Sequence, residues 1–248
     1  MYFLIFIGSS LLAGLLATTV GGIPILFVKD SVHRRSFDIA NGLAAGLMLA
    51  ASIFSLLLPA FELGGLCSVI IGFIVGMLFV LFLKDRIHVF YYRISGKENS
   101  SEIHRALLIF IALTLHNIPE GMAVGVAFAS RSMRLGVKVA LAIGIQNIPE
   151  GFAVAAPMVA MGKYSKKKAF SFSIFSGIVE PLNAVLAYLL ASAVSGLLPY
   201  LFGFCAGAMM FVVINEMIPE AQHGEYFDRS TLAILIGFLI MFILDVSL

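Results

Sequence analysis

The sequence predicts an all-α integral membrane protein with eight transmembrane helices in one domain over residues 1–248. Composition is the first observation behind this fold class, because 60% of the residues are hydrophobic and only 12% are charged. A soluble domain of this size would need more charge to keep its surface hydrated. Length is the second observation: a spanning helix takes about 20 apolar residues, so the chain has room for about eight and for no separate soluble domain.

Apolar runs and the charged residues between them give the bounds of the spans. The run from residue 169 to 214 holds one charge, Glu180, and is too long for a single span. We divide it at Ser195, Gly196 and Pro199, where turn-forming residues cluster. The predicted helices 1 to 8 are residues 2–28, 39–61, 63–83, 106–130, 137–162, 169–194, 200–219 and 231–248.

The basic residues predict how these spans are oriented. If the chain starts outside, 13 of its 16 lysines and arginines fall in the inner loops. The positive-inside rule places that richer side in the cytoplasm. We therefore expect a multi-pass protein of the cell membrane with both termini outside the cytoplasm. The three residues that dissent lie in or beside the turn between helices 4 and 5: Arg131, Arg134 and Lys138.

A five-residue motif, Asn-Ile-Pro-Glu-Gly, occurs at residues 117–121 and again at 147–151, on the predicted helices 4 and 5. A histidine precedes the first copy and a glutamine precedes the second. At about 100° per residue, the polar members of each copy share one helix face. Each proline lacks an N–H and so releases the carbonyl four residues earlier, which predicts a break in its helix. The candidate metal ligands are His116, Asn117, Glu120, Gln146, Asn147 and Glu150.

Glutamates lie deep in the predicted spans with no lysine or arginine expected at the same depth. An ionised side chain in mid-membrane costs at least ~2.5–3.5 kcal/mol, and a bound divalent cation would cancel two such charges. An imidazole with carboxylate and amide oxygens suits zinc, iron(II), manganese or cobalt. The sequence therefore predicts a central metal site between helices 4 and 5. The glutamates concerned are Glu120, Glu150, Glu180 and Glu216.

The alternative for these polar residues is that they join helices by hydrogen bonds, worth ~0.6 kcal/mol each. Glu180 is followed by Pro181, which repeats the pairing of a carboxylate with a freed carbonyl. Glu216 and Met48 are weaker candidates for the metal pathway, and core packing is the favoured role of Met48.

Two further features concern organisation. The pattern Gly-x3-Gly-x-Met occurs at residues 42–48 and 203–209, on helices that run in opposite directions. This match favours an inverted repeat of helices 1–3 and 6–8, as in secondary transporters, although close packing of small residues explains it equally well. The loop over residues 84–105 is expected to be a flexible cytoplasmic linker.

These motifs resemble the ZIP (Zrt/Irt-like) family of divalent-metal transporters, especially its bacterial GufA- and ZupT-like members. The resemblance rests on the paired motifs with their preceding histidine and glutamine, on Glu180-Pro181 and, more loosely, on residues 46–52. It covers essentially the whole chain. It implies import of Zn2+, and of Fe2+, Mn2+ or Co2+ as further substrates, into the cytoplasm.

The resemblance also implies how the site residues divide between two neighbouring metal positions. Met48 occupies a place where some relatives offer a sulfur ligand, whereas Asn147 stands where some carry a carboxylate, which should weaken the second position. Helices 1, 4, 5 and 6 would move against helices 2, 3, 7 and 8. One metal position would use His116, Glu120, Gln146 and Glu150, and the other Asn117, Glu120, Asn147, Glu150 and Glu180.

Other functions are weighed against this one. The chain has no G-x4-G-K-[ST] phosphate loop, which argues against an ATP-driven pump. An intramembrane metalloenzyme would need a second imidazole near His116, so no enzymatic activity and no cofactor are expected. A passive or metal-gated cation channel stays open as an alternative. The expected partners are divalent cations and the lipid bilayer, without nucleic acid, and the choice between monomer and homodimer is open.

Overall fold

A computed structural model of the chain describes residues 1–28, 33–95, 102–160, 162, 164–223 and 226–248. This described part is helical and contains no strand, as predicted for an all-α protein. Seven of the eight predicted helices agree with the structure to within about five residues at both ends. The helices are α1 (Tyr2–Phe27), α2 (residues 34–64), α3 (residues 66–95), α4 (Glu102–Ala129), α5 (Met133–Ala160), α6 (Lys166–Ala193), α7 (Leu198–Gln222) and α8 (Phe227–Ser247).

Gly65 separates α2 from α3. Its backbone has φ 70° and ψ −176°, a conformation that side chains with a Cβ rarely adopt. The sequence predicts this break three residues earlier, at Glu62 between Phe61 and Leu63, because a charged residue there interrupts the apolar run. Glu62 is exposed, so its charge is compatible with a helix that continues until the glycine changes direction.

Six helices of the described residues are long and apolar enough to cross a membrane. One of the six, Arg34–Arg86, is 53 residues long and contains α2 and α3 on either side of Gly65. In the most apolar window of α5, 67% of the residues are buried, against 22% in α8. Helix α5, which carries the second motif copy, is therefore among the enclosed helices.

The longest predicted loop is shorter in the structure. Helix α3 extends to Ser95 and α4 begins at Glu102, so most of residues 84–105 are helical. Lysine and arginine are good helix formers, and a helix can continue past the apolar region on such residues. The stretch predicted to be most flexible, residues 96–101, lies outside the described residues.

The prolines of the site region do not break their helices. Pro119, Pro149 and Pro181 all lie inside continuous helices, which corrects the prediction of proline-broken helices 4, 5 and 6. The helices depart from regular α geometry elsewhere, in π-helical turns, which often occur at functional sites. These turns are Leu11–Leu16 in α1, Ser52–Leu57 in α2 and Val213–Met217 in α7.

The helices pack in pairs: α2 with α8, α3 with α7, α1 with α5, and α4 with α6. The glycines of the Gly-x3-Gly pattern lie at two of these contacts. A Cβ on Gly46 would come 1.9 Å from the Ile234 carbonyl oxygen of α8, and one on Gly207 would come 2.1 Å from that of Phe73 in α3. Close packing of small residues therefore accounts for the pattern in both helices.

Candidate metal site

The seven candidate ligands on α4, α5 and α6 are buried, each at most 4% exposed: His116, Asn117, Glu120, Gln146, Asn147, Glu150 and Glu180. Glycines allow their helices to approach closely. A Cβ on Gly121 would lie 2.2 Å from the carbonyl oxygen of Glu180, and one on Gly151 would lie 2.0 Å from that of Thr18 in α1. The Gly of each motif copy thus brings its helix against a neighbour, beside the polar residues.

Glu180 lies at the centre of a hydrogen-bonded group. Asn147 Nδ2 is 2.8 Å from both carboxylate oxygens of Glu180 and also donates to the Ala13 carbonyl oxygen of α1. Asn117 Nδ2 lies 3.2 Å from Glu180 Oε1 and 3.0 Å from the Ser176 carbonyl oxygen. Amide groups from two helices therefore hold this carboxylate in place.

Glu120 is held in a similar way by an amide. Gln146 Nε2 of α5 donates to Glu120 Oε1 of α4 at 2.7 Å. The three site amides thus share one arrangement, in which each NH2 group faces a buried glutamate. Their carbonyl oxygens face no hydrogen-bond donor among the described residues.

Several atoms of the candidate ligands are buried without a hydrogen-bond partner in the described part of the chain. Buried polar atoms are nearly always paired, so such a concentration needs a cause. All of them are of the types that coordinate divalent transition metals: imidazole nitrogen, amide oxygen and carboxylate oxygen. They are His116 Nδ1, Asn117 Oδ1, Glu120 Oε2, Gln146 Oε1, Asn147 Oδ1 and both Glu150 carboxylate oxygens.

Hydrogen bonding between helices and metal binding are therefore compatible at this site. The amide nitrogens of Asn117, Gln146 and Asn147 join helices, while their oxygens have no hydrogen-bond partner among the residues that the structure describes. The alternative that these residues only join helices leaves Glu150 unexplained. Its carboxylate is 2% exposed and has no hydrogen-bond donor in the described residues.

His116 contacts a residue outside the paired motifs. Its Nε2 lies 2.8 Å from Glu216 Oε2, in the π-helical turn of α7. Lys84 Nζ of α3 lies 3.5 Å from the other oxygen, Glu216 Oε1. The expectation that no lysine lies at the depth of these glutamates is therefore wrong for Glu216. Lys84 is predicted to lie in a loop, whereas in the structure it belongs to α3, which places it beside Glu216.

In this arrangement, no group of three or more His, Cys, Asp and Glu side chains in the described residues is placed to hold a metal ion. The imidazole of His116 is oriented toward Glu216. It and the carboxylates of Glu120 and Glu150 must therefore move closer to one another before they can coordinate one ion. The free amide oxygens of Gln146 and Asn147 would add ligands of another type.

Met48 is fully buried at 1% exposure in an apolar cluster that includes Leu56 and Met209. This agrees with the favoured packing role. Sequence inspection missed the contribution of α1, where Ala13 accepts a hydrogen bond from Asn147 and Thr18 Oγ1 lies 3.5 Å from Glu180 Oε1. The adjacent threonines 18 and 19 in an apolar span were the available signal, whereas a backbone carbonyl gives none.

Comparison with known proteins gives consistent matches. A model of the family described as ZIP Zinc transporter matches residues 95–245. The chain is 37% identical to the zinc transporter GufA of Myxococcus xanthus, with 97% of each chain covered. It is 34% identical to the zinc transporter ZIPB of Bordetella bronchiseptica, with 95% of this chain and 79% of that one covered. It is 32% identical to the human zinc transporter ZIP11, with 93% and 94% covered.

Proposed function

Because the chain belongs to the ZIP family of zinc transporters, and is thus a multi-pass membrane transporter of divalent metals and not an enzyme, we propose that it carries Zn2+ into the cytoplasm through the candidate metal site. The motifs at residues 117–121 and 147–151 supply the ligands in this proposal. Transport needs no covalent chemistry and no cofactor.

Glu150 is the single observation that carries the proposal. Both of its carboxylate oxygens are buried and lack a hydrogen-bond donor in the described part of the chain. An unpaired buried charge costs several kcal/mol even after the protein relaxes. A divalent cation between Glu150 and Glu120 would remove this penalty for two carboxylates at once. A purely structural role offers no comparable compensation.

We assign the ligands to two positions of unequal strength. The first uses His116, Glu120, Gln146 and Glu150, which together offer two carboxylates with free oxygens. The second adds Asn117, Asn147 and Glu180, and we expect it to bind weakly because the Asn147 amide already donates to both Glu180 oxygens. Met48 and Glu216 are the weaker candidates, the former for its apolar surroundings and the latter for its pairing with Lys84.

The proposed topology has eight spans, with both termini outside the cytoplasm, in one domain over residues 1–248. The helix pairs support the inverted repeat of helices 1–3 and 6–8, because that symmetry exchanges the α2–α8 contact with α7–α3, and the α1–α5 contact with α6–α4. Large apolar side chains are exposed on α3, α6 and α8, as contact with lipid requires. A homodimer stays a prediction.

The test is uptake of radioactive zinc into proteoliposomes that contain the purified protein. Loss of a metal-ligating carboxylate should lower uptake by at least about 100-fold, given that outer-shell partners alone are worth 10–100-fold. We expect this loss in Glu120→Ala and in Glu150→Ala. Glu62→Ala removes an exposed glutamate of α2 and should keep full uptake.

Size-exclusion chromatography of each variant checks that it is folded. Wild-type uptake in both buried-glutamate variants would contradict the proposed site and return these residues to a structural role. Competition by unlabelled Fe2+, Mn2+ and Co2+ in the wild-type assay measures which other ions are carried. We expect each to compete, because all three accept the same imidazole and oxygen ligands.

A further inference from the structure

Glu216 differs from the candidate site glutamates Glu120, Glu150 and Glu180, because its carboxylate is paired with basic side chains. Oε2 lies 2.8 Å from His116 Nε2, and Oε1 lies 3.5 Å from Lys84 Nζ. The three residues come from α4, α7 and α3, so this contact forms only when the helices have assembled. The side chains of Glu216 and Lys84 are 22% and 33% exposed, which places the pair at the edge of the interior.

His116 connects this pair to the candidate metal site. It lies one helical turn before Glu120 on α4, is 4% exposed, and its second ring nitrogen, Nδ1, has no partner among the described residues. An ion that leaves the candidate site by way of His116 therefore meets Glu216 next.

An imidazole beside a carboxylate is a ready pair of ligands for a divalent transition metal. Such a pair would retain an ion, because contacts that involve charged groups are stronger than contacts between neutral groups. Here a lysine ammonium group already occupies one side of the carboxylate. It neutralises Glu216 and repels a divalent cation at the same short range.

We propose that the ammonium group of Lys84 takes the place of a metal cation beside Glu216. It thereby keeps the His116–Glu216 pair from retaining a divalent ion that leaves the candidate metal site. The inference rests on the proposed function, since it concerns the release of the transported ion. Lys84 thus acts through Glu216 as a positioning residue and sets the release rate, not the primary affinity.

The experiment compares Lys84→Gln with wild type in two measurements on the full-length protein. Equilibrium dialysis of the detergent-purified protein counts Zn2+ ions bound per chain, and proteoliposome uptake gives the maximal rate and the half-saturating concentration. Lys84→Gln should bind one further ion per chain, held by His116 and Glu216 while Glu120, Gln146 and Glu150 keep the first ion, and should release it slowly. Its maximal rate should fall about tenfold, because the ion must break one additional moderately strong charged contact before it leaves.

Three further variants serve as controls. Lys84→Arg keeps the charge and should match wild type in both measurements. Arg86→Gln removes a positive charge two residues along the same helix, where the guanidinium stacks on Phe82, and should also match wild type. The double variant Lys84→Gln with Glu216→Gln should lose the additional ion, because the carboxylate that binds it is gone.

An unchanged ion count in folded Lys84→Gln overturns the inference, whatever its transport rate. If that variant does not fold, Lys84→Met, which keeps the length of the side chain, takes its place under the same criterion. Wild-type protein that binds no zinc would refute the proposed metal site as well. Normal zinc binding and transport in wild type, with no additional ion in the neutral variants, refutes only the role of Lys84.

Discussion

At the scale of single residues, each amide of the candidate site can serve two functions, one through its NH2 group and the other through its carbonyl oxygen. The NH2 groups of Asn117 and Asn147 donate to Glu180, and that of Gln146 donates to Glu120. In the described part of the chain, their carbonyl oxygens have no hydrogen-bond donor. Because an amide is neutral, it can hold a carboxylate in place without cancelling the negative charge that attracts a cation.

Asn147→Asp tests this division of functions. The change removes the two contacts of 2.8 Å to Glu180 and places a second carboxylate against it. Hydrogen bonds to charged groups are worth about 1.5–3 kcal/mol each, so the metal-free variant should unfold at a lower temperature than wild type. Zn2+ should raise its melting temperature by more than it raises that of wild type, because two adjacent carboxylates strengthen the second metal position.

Thermal unfolding with and without Zn2+ measures both effects. Asn183→Asp is the control: this asparagine lies on α6, and its amide donates only to the carbonyl of Val179 among the partners that the structure records. It should show no additional stabilisation by zinc. An Asn147→Asp protein with the zinc response of wild type would show that the second position does not form.

At the scale of helices, close backbone contacts place the site. The π-helical turns give local irregularity, but the helices that carry the motifs remain continuous through Pro119, Pro149 and Pro181. What brings Asn117 of α4 to Glu180 of α6 is the absence of a side chain at Gly121. The contact leaves no room for a Cβ, which would lie 2.2 Å from the Glu180 carbonyl oxygen.

Gly121→Ala should therefore separate α4 from α6 and disturb the hydrogen bonds of Glu180. Overpacking of a tight contact costs about 1–3 kcal/mol, so both the melting temperature and zinc uptake should fall. Gly8→Ala in α1 is the matched control, because a Cβ there meets nothing within 4 Å. Stability and uptake equal to wild type in Gly121→Ala would mean that this contact does not position the site.

At the scale of the whole molecule, the helices form two groups: α1, α4, α5 and α6 with the candidate ligands, and α2, α3, α7 and α8 beside them. Helices pair within each group. Polar contacts between the groups include His116 with Glu216, Lys138 Nζ with Asp245 Oδ2 at 3.0 Å, and Arg134 Nε with the Leu248 carbonyl oxygen. A carrier in which one group moves against the other must break such contacts in each cycle.

Cross-linking tests this movement and separates a carrier from a static channel. With Cys67→Ser as background, Lys138→Cys and Asp245→Cys are joined by a bifunctional thiol reagent, which ties α5 to α8. Gating motions of this kind limit turnover in many proteins, so we expect uptake to fall at least about tenfold and to recover on reduction. The measurement is zinc uptake before and after the reagent.

A link within one group is the control. Ser55→Cys with Asp245→Cys joins α2 to α8, where Ser55 Oγ lies 2.6 Å from Asp245 Oδ1 in the present structure. This variant shares the Asp245 substitution and should keep its uptake after the reagent. Full uptake in the cross-linked Lys138 variant as well would contradict relative movement of the two groups and favour the channel.

The sequence by itself determined the fold class and the residues that gather at the site. Membrane solvation requires long apolar helices, so composition and charge pattern predicted the bounds of seven helices closely. The repeated Asn-Ile-Pro-Glu-Gly motif, with the histidine and the glutamine that precede its two copies, identified six of the buried polar residues, because polar groups are so unfavourable in lipid that they need a function. Such constraints act on each segment separately and can be found in a linear pattern.

Only the tertiary structure decided which polar atoms are paired. Three findings depend on contacts between different helices. Two amides donate to Glu180, Glu150 has no donor in the described residues, and Lys84 lies beside Glu216. The position of the turn at Gly65 and the backbone contribution of Ala13 were also decided there. Pairing depends on distances of a few ångströms between segments far apart in the chain, and spacing along one helix does not contain that information.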